Sequence, residues 1–336
     1  TLEDLASTSV TSVAGIGDKT LATLKKQAQL QVATKAIPVE KDKVVVPVFE
    51  MHDPKILGRL PTPSEGDIFF DFEGDPLYEE DSKWNLDYLF GLVDNSSKFT
   101  AFWAHDLAEE KKALIEFIAF VKERRAKHPD MHIYHYAPYE RAHLSSLSQR
   151  HGVEEIYVDQ LIKDDVLVDL YPVVTRSMTI GSPSYSLKKL EPLYMESARN
   201  KKGVTNAADS VTEYARYCEL RDEGKTAEAE ALLKAIEDYN KYDCISTLEL
   251  HKWLLAEAKK LGVTPATIDT SDTEKVDITP DPLYDDLVGK IDPERNKRSD
   301  DEIAVALTAA AIDYHRRENK SFWWDHFSRL SEPLAD

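Results

Sequence analysis

The apolar positions of this chain follow two periods, one short and continuous, the other spaced by three and four. Continuous runs at Ile68-Phe69-Phe70, Leu86 to Val93, Lys98 to Trp103, Met131 to Tyr136 and Val166 to Tyr171 predict strands. Ile68-Phe69-Phe70 has no polar alternation, the pattern of a strand covered on both faces in a largely parallel sheet. Asp94-Asn95-Ser96-Ser97 is a turn signal between two of the runs. Helical spacing appears in Leu107, Leu114, Phe117, Ile118 and Val121, behind an Asp106 cap and running to about Lys127. A second helix opens at Pro138, reaches about Arg150 and ends at Gly152. A late helix reaching about Leu261 is expected to bury Tyr242, Ile245, Leu248 and Trp253. Ser184-Tyr185-Ser186-Leu187-Lys188-Lys189-Leu190 opens a short helix, and the charged residues 195–237 read as a peripheral helical insertion. Strands interleaved with helices in this order predict an α/β domain with the Ile68 strand at its centre.

The flanks read differently. In residues 1–36, Val13-Ala14-Gly15-Ile16-Gly17 precedes a helical run through Leu21, Leu24 and Ala28, which predicts two short helices around a Gly-Ile-Gly turn. The free N–H groups of the second helix could receive a phosphate, with Lys19, Lys25 and Lys26 nearby. Residues 37–65 are proline-rich, with one candidate strand at Val44 to Val48, and read as a linker. Residues 66–262 form the α/β domain. Residues 263–300, rich in Asp, Pro and Thr, read as a second linker, and 301–336 as a helical extension. That extension carries Ile303, Ala304, Leu307, Ala311 and Tyr314 and ends in Phe322-Trp323-Trp324-Asp325-His326-Phe327, an aromatic anchor for a further domain.

Composition narrows the function classes. With 336 residues, 42% of them hydrophobic, the chain can bury a sizeable core. It opens on Thr1 rather than Met, as expected of a piece of a longer protein. No apolar segment approaches the ~20 residues of a membrane span, so a soluble, cytoplasmic protein without membrane contact is expected. Two cysteines, Cys218 and Cys244, exclude a disulfide scaffold or a cysteine-rich zinc site. A formal net charge of -19 argues against a broad phosphate-binding surface. Any nucleic-acid contact must be local or assisted by metal ions.

The chemistry gathers in three stretches. In D-I-F-F-D-F-E-G-D-P (67–76) the apolar run leads into carboxylates. The two-residue repeat of a strand puts Asp71 and Glu73 on one face, with Asp75 beyond Gly74. Like charges so close call for a cation, and hard oxygen ligands suit magnesium or manganese. In H-Y-A-P-Y-E (135–140), Glu140 falls in the first helical turn after a strand, at the same sheet end. In Y-N-K-Y-D (239–243), Tyr239 and Asp243 are four apart and share a helix face. Asp169, ending the next candidate strand, is the weaker alternative for the second acid, better suited to a cap.

In this order the motifs D-F-E, an acid in the helix after the next core strand and Y-x-x-x-D resemble the DEDD exonuclease superfamily, tyrosine subtype, on an RNase H-like fold. D-F-E-G-D-P, H-Y-A-P-Y-E, S-Y-S-L-K-K and Y-N-K-Y-D-C resemble more closely the central part of the RecB-like nucleases of bacteria, over roughly residues 10–260. The resemblance implies a mixed sheet flanked by helices, preceded by a DNA-binding helix-hairpin-helix (Gly15, Ile16, Gly17, Lys19). It further implies two Mg2+ or Mn2+ ions held by Asp71, Glu73, Glu140 and Asp243, with Tyr239 orienting the attacking water. One departure is Glu140, where most such enzymes carry aspartate. The implied activity is 3′ to 5′ hydrolysis of DNA, a DNA-repair role, with a helicase domain in the full-length protein. The competing class is a degenerate nuclease fold that positions DNA for a helicase without cutting it. A sugar- or nucleotide-binding α/β protein is disfavoured, since no glycine-rich loop follows a strand.

Overall fold

The computed structural model describes residues 1–39, 44–80, 83–195, 199, 204, 206–266, 282–292 and 297–312. The chain divides into two compact units, Thr1–Asp269 and Thr270–Asp336.

The first unit is built on a five-stranded sheet, and its central strand is the acidic one. β2 (Ile68–Glu80), β3 (Lys83–Asp94), β4 (Phe99–Trp103), β5 (Ile133–His135) and β6 (Leu167–Asp169) lie in the order β4-β3-β2-β5-β6. β2 runs parallel to β5 on one side and antiparallel to β3 on the other, so the sheet is mixed rather than largely parallel. Nor does β2 end at its carboxylates. It continues to Glu80 as one arm of a long hairpin with β3, its register shifting between Glu73 and Gly74.

The pleat of β2 decides what each of its residues meets. Ile68, Phe70 and Phe72 join one core with Leu114, Phe117, Ile118 and Val121 of α3 (Leu107–Lys127) and Leu144 and Leu147 of α4 (Tyr139–His151). Within it Phe70 stacks on Phe117 at 4.6 Å between ring centroids. Phe69 faces the other side, with Tyr134 of β5 and Leu248 and Leu254 of α9 (Thr226–Lys260). Because α9 covers that second face, the same alternation carries Asp71 and Glu73 beneath it. α3 starts on Asp106, whose side chain accepts from Glu109 N at 2.7 Å, and α4 ends on Gly152 in the left-handed region, both as the pattern predicts.

Several elements differ from expectation. No strand forms at Val44 to Val48. β1 (Phe49–Met51) lies just downstream and pairs with β7 (Met178–Ile180) in a separate two-stranded sheet. The tract 37–65 also carries a 3-10 turn, Pro54–Arg59, and Leu57 and Leu60 are fully buried. The run Val166 to Tyr171 breaks at Asp169, which caps a helix, α6 (Leu170–Ser177). α5 (Glu155–Lys163) and the single-turn α7 (Leu187–Leu190) complete the connections.

The described part of the insertion between 195 and 237 is helical, as expected, but not peripheral. α8 (Ala207–Asp222) buries Tyr214 and Tyr217 against Leu86, Tyr88 and Leu89 of the β2–β3 hairpin, and α9 begins at Thr226, well before the expected start. On α9 Leu248 is buried as expected, and the buried stripe through it includes Asn240, Cys244 and His251, while Tyr242, Ile245 and Trp253 are only half-buried. The polar Asn240 and His251 had hidden this stripe from an apolar count.

At the N-terminus α1 (Leu2–Ser7) and α2 (Asp18–Lys35) flank a turn closed by a bridge between Val13 and Ile16. Gly15 has a φ of 84°, where a Cβ would be strained, whereas Gly17 is the extended cap of α2. α2 is fastened to the sheet region by Gln27 Nε2, which donates to Ile180 O at 2.7 Å and to Ser182 O at 3.0 Å. In the second unit, α10 (Pro282–Val288) and α11 (Asp300–Ile312) are described, with Ser299 and Glu302 closing a capping box on α11. The Phe322–Phe327 cluster lies outside the described residues.

Candidate active site

Under α9 three carboxylates converge. One oxygen each of Asp71, Glu73 and Asp243 lies within 4.8 Å of the others, the first two delivered by β2 and the third by the helix above. Glu73 and Asp243 are buried, and Asp71 keeps partial solvent contact. Burial, and next to it the charges of Asp243, Glu73 and Glu140, hold the Asp71 carboxyl well above the usual carboxylate range. Burial and Asp243 push Glu73 up to about 8, against hydrogen bonds from Ser210 and Asn240. Burial also raises Asp243, and Arg199 opposes it. Three acids that resist ionising together are the electrostatic signature of a site that stabilises a cation.

Glu140 stands at the edge of this group rather than inside it. It is 3% exposed, and burial raises its carboxyl above the ordinary value while His135 pulls it back. His135 Nδ1 lies 3.2 Å from Glu140 Oε2 but donates to Ala137 O at 2.8 Å, so Oε2 accepts no well-formed hydrogen bond. A buried carboxylate oxygen without a donor fits a metal ligand. The oxygen-only donor set suits a hard divalent ion, so the residues present fit such a group. The turn that delivers Glu140 is strained: Ala137 has a φ of 80°. Asp169 holds that turn, its Oδ1 accepting from Ala137 N at 2.8 Å and from Tyr171 N, at 2.9 Å, as the α6 cap. Asp169 therefore acts on Glu140 through the backbone between them.

Tyr239 lies one helical turn before Asp243. Burial, then Asp243, Glu73 and Asp71, raise its phenol far above the ordinary range, so it stays a hydrogen-bond donor. The Gly15, Ile16, Gly17 and Lys19 group belongs to the α1–α2 turn and contributes nothing to the carboxylate cluster. There Gly17 caps α2 without a side chain, while Lys25 donates to Val10 O and Lys26 pairs with Glu50.

Four further residues escape a reading of the sequence. Asn240 Nδ2 donates to Asp71 Oδ2 at 2.9 Å and to Asp71 O at 3.2 Å, fixing the strand carboxylate from above. Ser210 of α8, bonded to the Tyr88 hydroxyl at 2.7 Å, reaches Glu73. Arg199 pairs with Asp243 and with Glu191, and Lys188 Nζ lies 5.3 Å from the centre of the Tyr239 ring. Only Asn240 and Lys188 lie within recognised motifs, and neither had a signal for its role.

A central mixed sheet, helices on both faces and carboxylates meeting from the central strand and a late helix define an RNase H-like α/β fold of nuclease type. A model of the RNase_H superfamily matches residues 68–255, more than half of the chain, and the chain belongs to that superfamily. Domains of that superfamily are generally hydrolytic nucleases and typically use divalent metals. A comparison with curated proteins gives no match. Among the described residues no helix is long and apolar enough to cross a membrane.

Proposed function

We propose that residues 66–262 form a metal-dependent nuclease that hydrolyses DNA from its 3′ end, and that residues 1–36 are a helix-hairpin-helix holding the DNA backbone. The observation that carries the reading is the convergence of Asp71, Glu73 and Asp243 within 4.8 Å, with Tyr239 one turn away and Glu140 beside them. Those four acids would hold two Mg2+ or Mn2+ ions, which when bound activate water and stabilise the leaving oxygen. Tyr239 orients the water through its hydroxyl, and Asn240 and Ser210 keep the two β2 carboxylates in place.

End-labelled single-stranded DNA with manganese, compared with EDTA, tests the reading. Release of nucleotides that stops in EDTA and in Asp71→Ala and Asp243→Ala supports it. Full rates in either variant remove the two-metal site, and DNA retention without hydrolysis moves the chain to the class of binding modules.

A further inference from the structure

We propose that Arg199 is a catalytic residue of this site, its guanidinium meeting the non-bridging oxygens of the scissile phosphodiester. The proposal rests on the nuclease reading and adds, beside Lys188, a cationic partner for the substrate to a site rich in acids.

A counter-charge serving only to neutralise carboxylates would turn its donors toward them. Arg199 does so with part of its fork. Nε donates to Glu191 at 2.9 and 3.0 Å, Nη2 donates to Glu191 at 2.5 Å and reaches Asp243, and Nη1 is buried without a partner among the described residues. A charged donor left buried and unmet costs stability, so its retention points to a ligand that completes it. The ligand must be an acceptor, and the guanidinium that would receive it already lies against Asp243 through Nη2. In a site for phosphodiesters, a non-bridging phosphoryl oxygen has that chemistry, and a planar guanidinium matches it.

The group is also held rigidly, which an electrostatic catalyst requires. Glu191, which accepts the fork, is 7% exposed and accepts from Ser246 Oγ at 3.2 Å, while Ser246 Oγ lies 3.0 Å from the Tyr194 hydroxyl. The guanidinium carbon sits 4.6 Å from the centre of the Tyr242 ring and 5.5 Å from that of Tyr239. Asp243 and Tyr239 thus share one arginine. In the reaction water oxygen bonds to phosphorus, the bond from phosphorus to the leaving sugar oxygen breaks, and the proton lost by water is balanced by one gained by that oxygen. Arg199 neither gives nor takes a proton; it stabilises charge building on the phosphoryl oxygens.

The test compares wild type, Arg199→Ala and Arg199→Lys by single-turnover hydrolysis of an end-labelled oligonucleotide in manganese. Arg199→Ala should lose about 100-fold in rate with half-saturation changed far less, as when one preorganised donor is removed. Arg199→Lys should stay well below wild type, because an ammonium cannot serve Glu191 and a phosphate at once. Millimolar guanidinium ion should restore part of the Arg199→Ala rate and leave wild type unchanged. In calcium, by fluorescence anisotropy, Arg199→Ala should bind a phosphodiester oligonucleotide about tenfold more weakly, yet bind one with neutral methylphosphonates at its terminal linkages as wild type does. Active wild type with an equally active Arg199→Ala overturns this proposal alone. So does a lost rate without guanidinium rescue and with affinity for both oligonucleotides reduced alike, which would make Arg199 a structural tether. An inactive wild type overturns the nuclease reading and this proposal with it.

Discussion

Asn240 occupies the space that Gly91 leaves by having no side chain: a Cβ on Gly91 would lie 1.6 Å from Asn240 Oδ1. The glycine of β3 thereby lets α9 descend until Asn240 reaches Asp71 on the neighbouring strand. Gly91→Ala should push Asn240 away and free the Asp71 carboxylate. The expected outcome is hydrolysis reduced at least tenfold, with manganese affinity weakened and a lower melting temperature. Calorimetry and manganese titration check it. Asn240→Ala should reproduce the metal effect, and failure of the two to agree would detach Asn240 from the site.

Glu140 and Asp169 differ in how they act. Glu140→Gln keeps size and hydrogen bonding but loses the charge, so activity should fall by orders of magnitude and metal affinity with it. Asp169→Asn retains the Oδ1 acceptor that holds Ala137 N and Tyr171 N, so its effect should be much smaller. Kinetics of the two variants side by side decide the matter, and the reversed order would redraw the metal site around Asp169.

The helix that carries Glu140 is anchored at its far end by a buried acid. Glu110 of α3 accepts from Arg150 Nη1 at 2.9 Å and from Asp87 N at 2.8 Å, and lies 2.6 Å from His151 Nε2. Glu110→Ala leaves Arg150 and His151 without their shared acceptor and should cost about 3 to 5 kcal/mol in urea unfolding. Tilting of α4 should also weaken manganese binding. A stable variant with unchanged affinity would mean that the hydrophobic contacts of Leu144 and Leu147 position α4 by themselves.

His251 supplies a pH dependence that can be isolated. Its ring packs 4.1 Å from Tyr134 between centroids, its Nε2 has no hydrogen-bond partner among the described residues, and burial lowers its pKa from 6.5 to about 4. Asp67 opposes that shift, and His132 and Lys252 reinforce it. The folded state therefore binds fewer protons here than the unfolded chain. Its contribution is complete above pH 6.5 and is lost as the pH falls toward 4. Against His251→Phe, wild type should lose about 3 kcal/mol more across that window, since each pKa unit is worth about 1.4 kcal/mol. Urea unfolding of both proteins between neutral and acid pH measures the difference, and parallel curves would place the ring in contact with water.

The α2 cap makes a separate prediction. Lys19 stands exposed in the first turn behind Gly17, whose cap has no side-chain partner. Lys19→Glu should weaken DNA binding and reduce the slope of log affinity against log salt by about one, leaving cleavage of short oligonucleotides largely intact. An unchanged salt titration would assign the hairpin a purely structural part.

By itself the sequence determined what depends on a few neighbouring residues. The period of two along Ile68 to Glu73 was enough to separate Phe70 and Phe72 from Asp71 and Glu73. The Asp106 cap and the left-handed Gly152 bounded their helices because capping is satisfied within one turn. The tertiary structure decided which face of each helix meets what. On α9 a stripe of Asn240, Cys244, Leu248 and His251 is buried in place of the larger Tyr242 and Trp253, because the helix packs where Gly91 admits it and where two carboxylates need donors. The Val166 to Tyr171 run became strand and then helix once Asp169 took both the cap and the Ala137 amide. α8 reads as a charged surface helix until the exposed backs of Leu86, Tyr88 and Leu89 require a cover, and covering them sets Ser210 beside Glu73. Arg199 meets Asp243 across 44 residues of chain. No local pattern encodes such a meeting, because it exists only after the sheet has fixed where α9 lies.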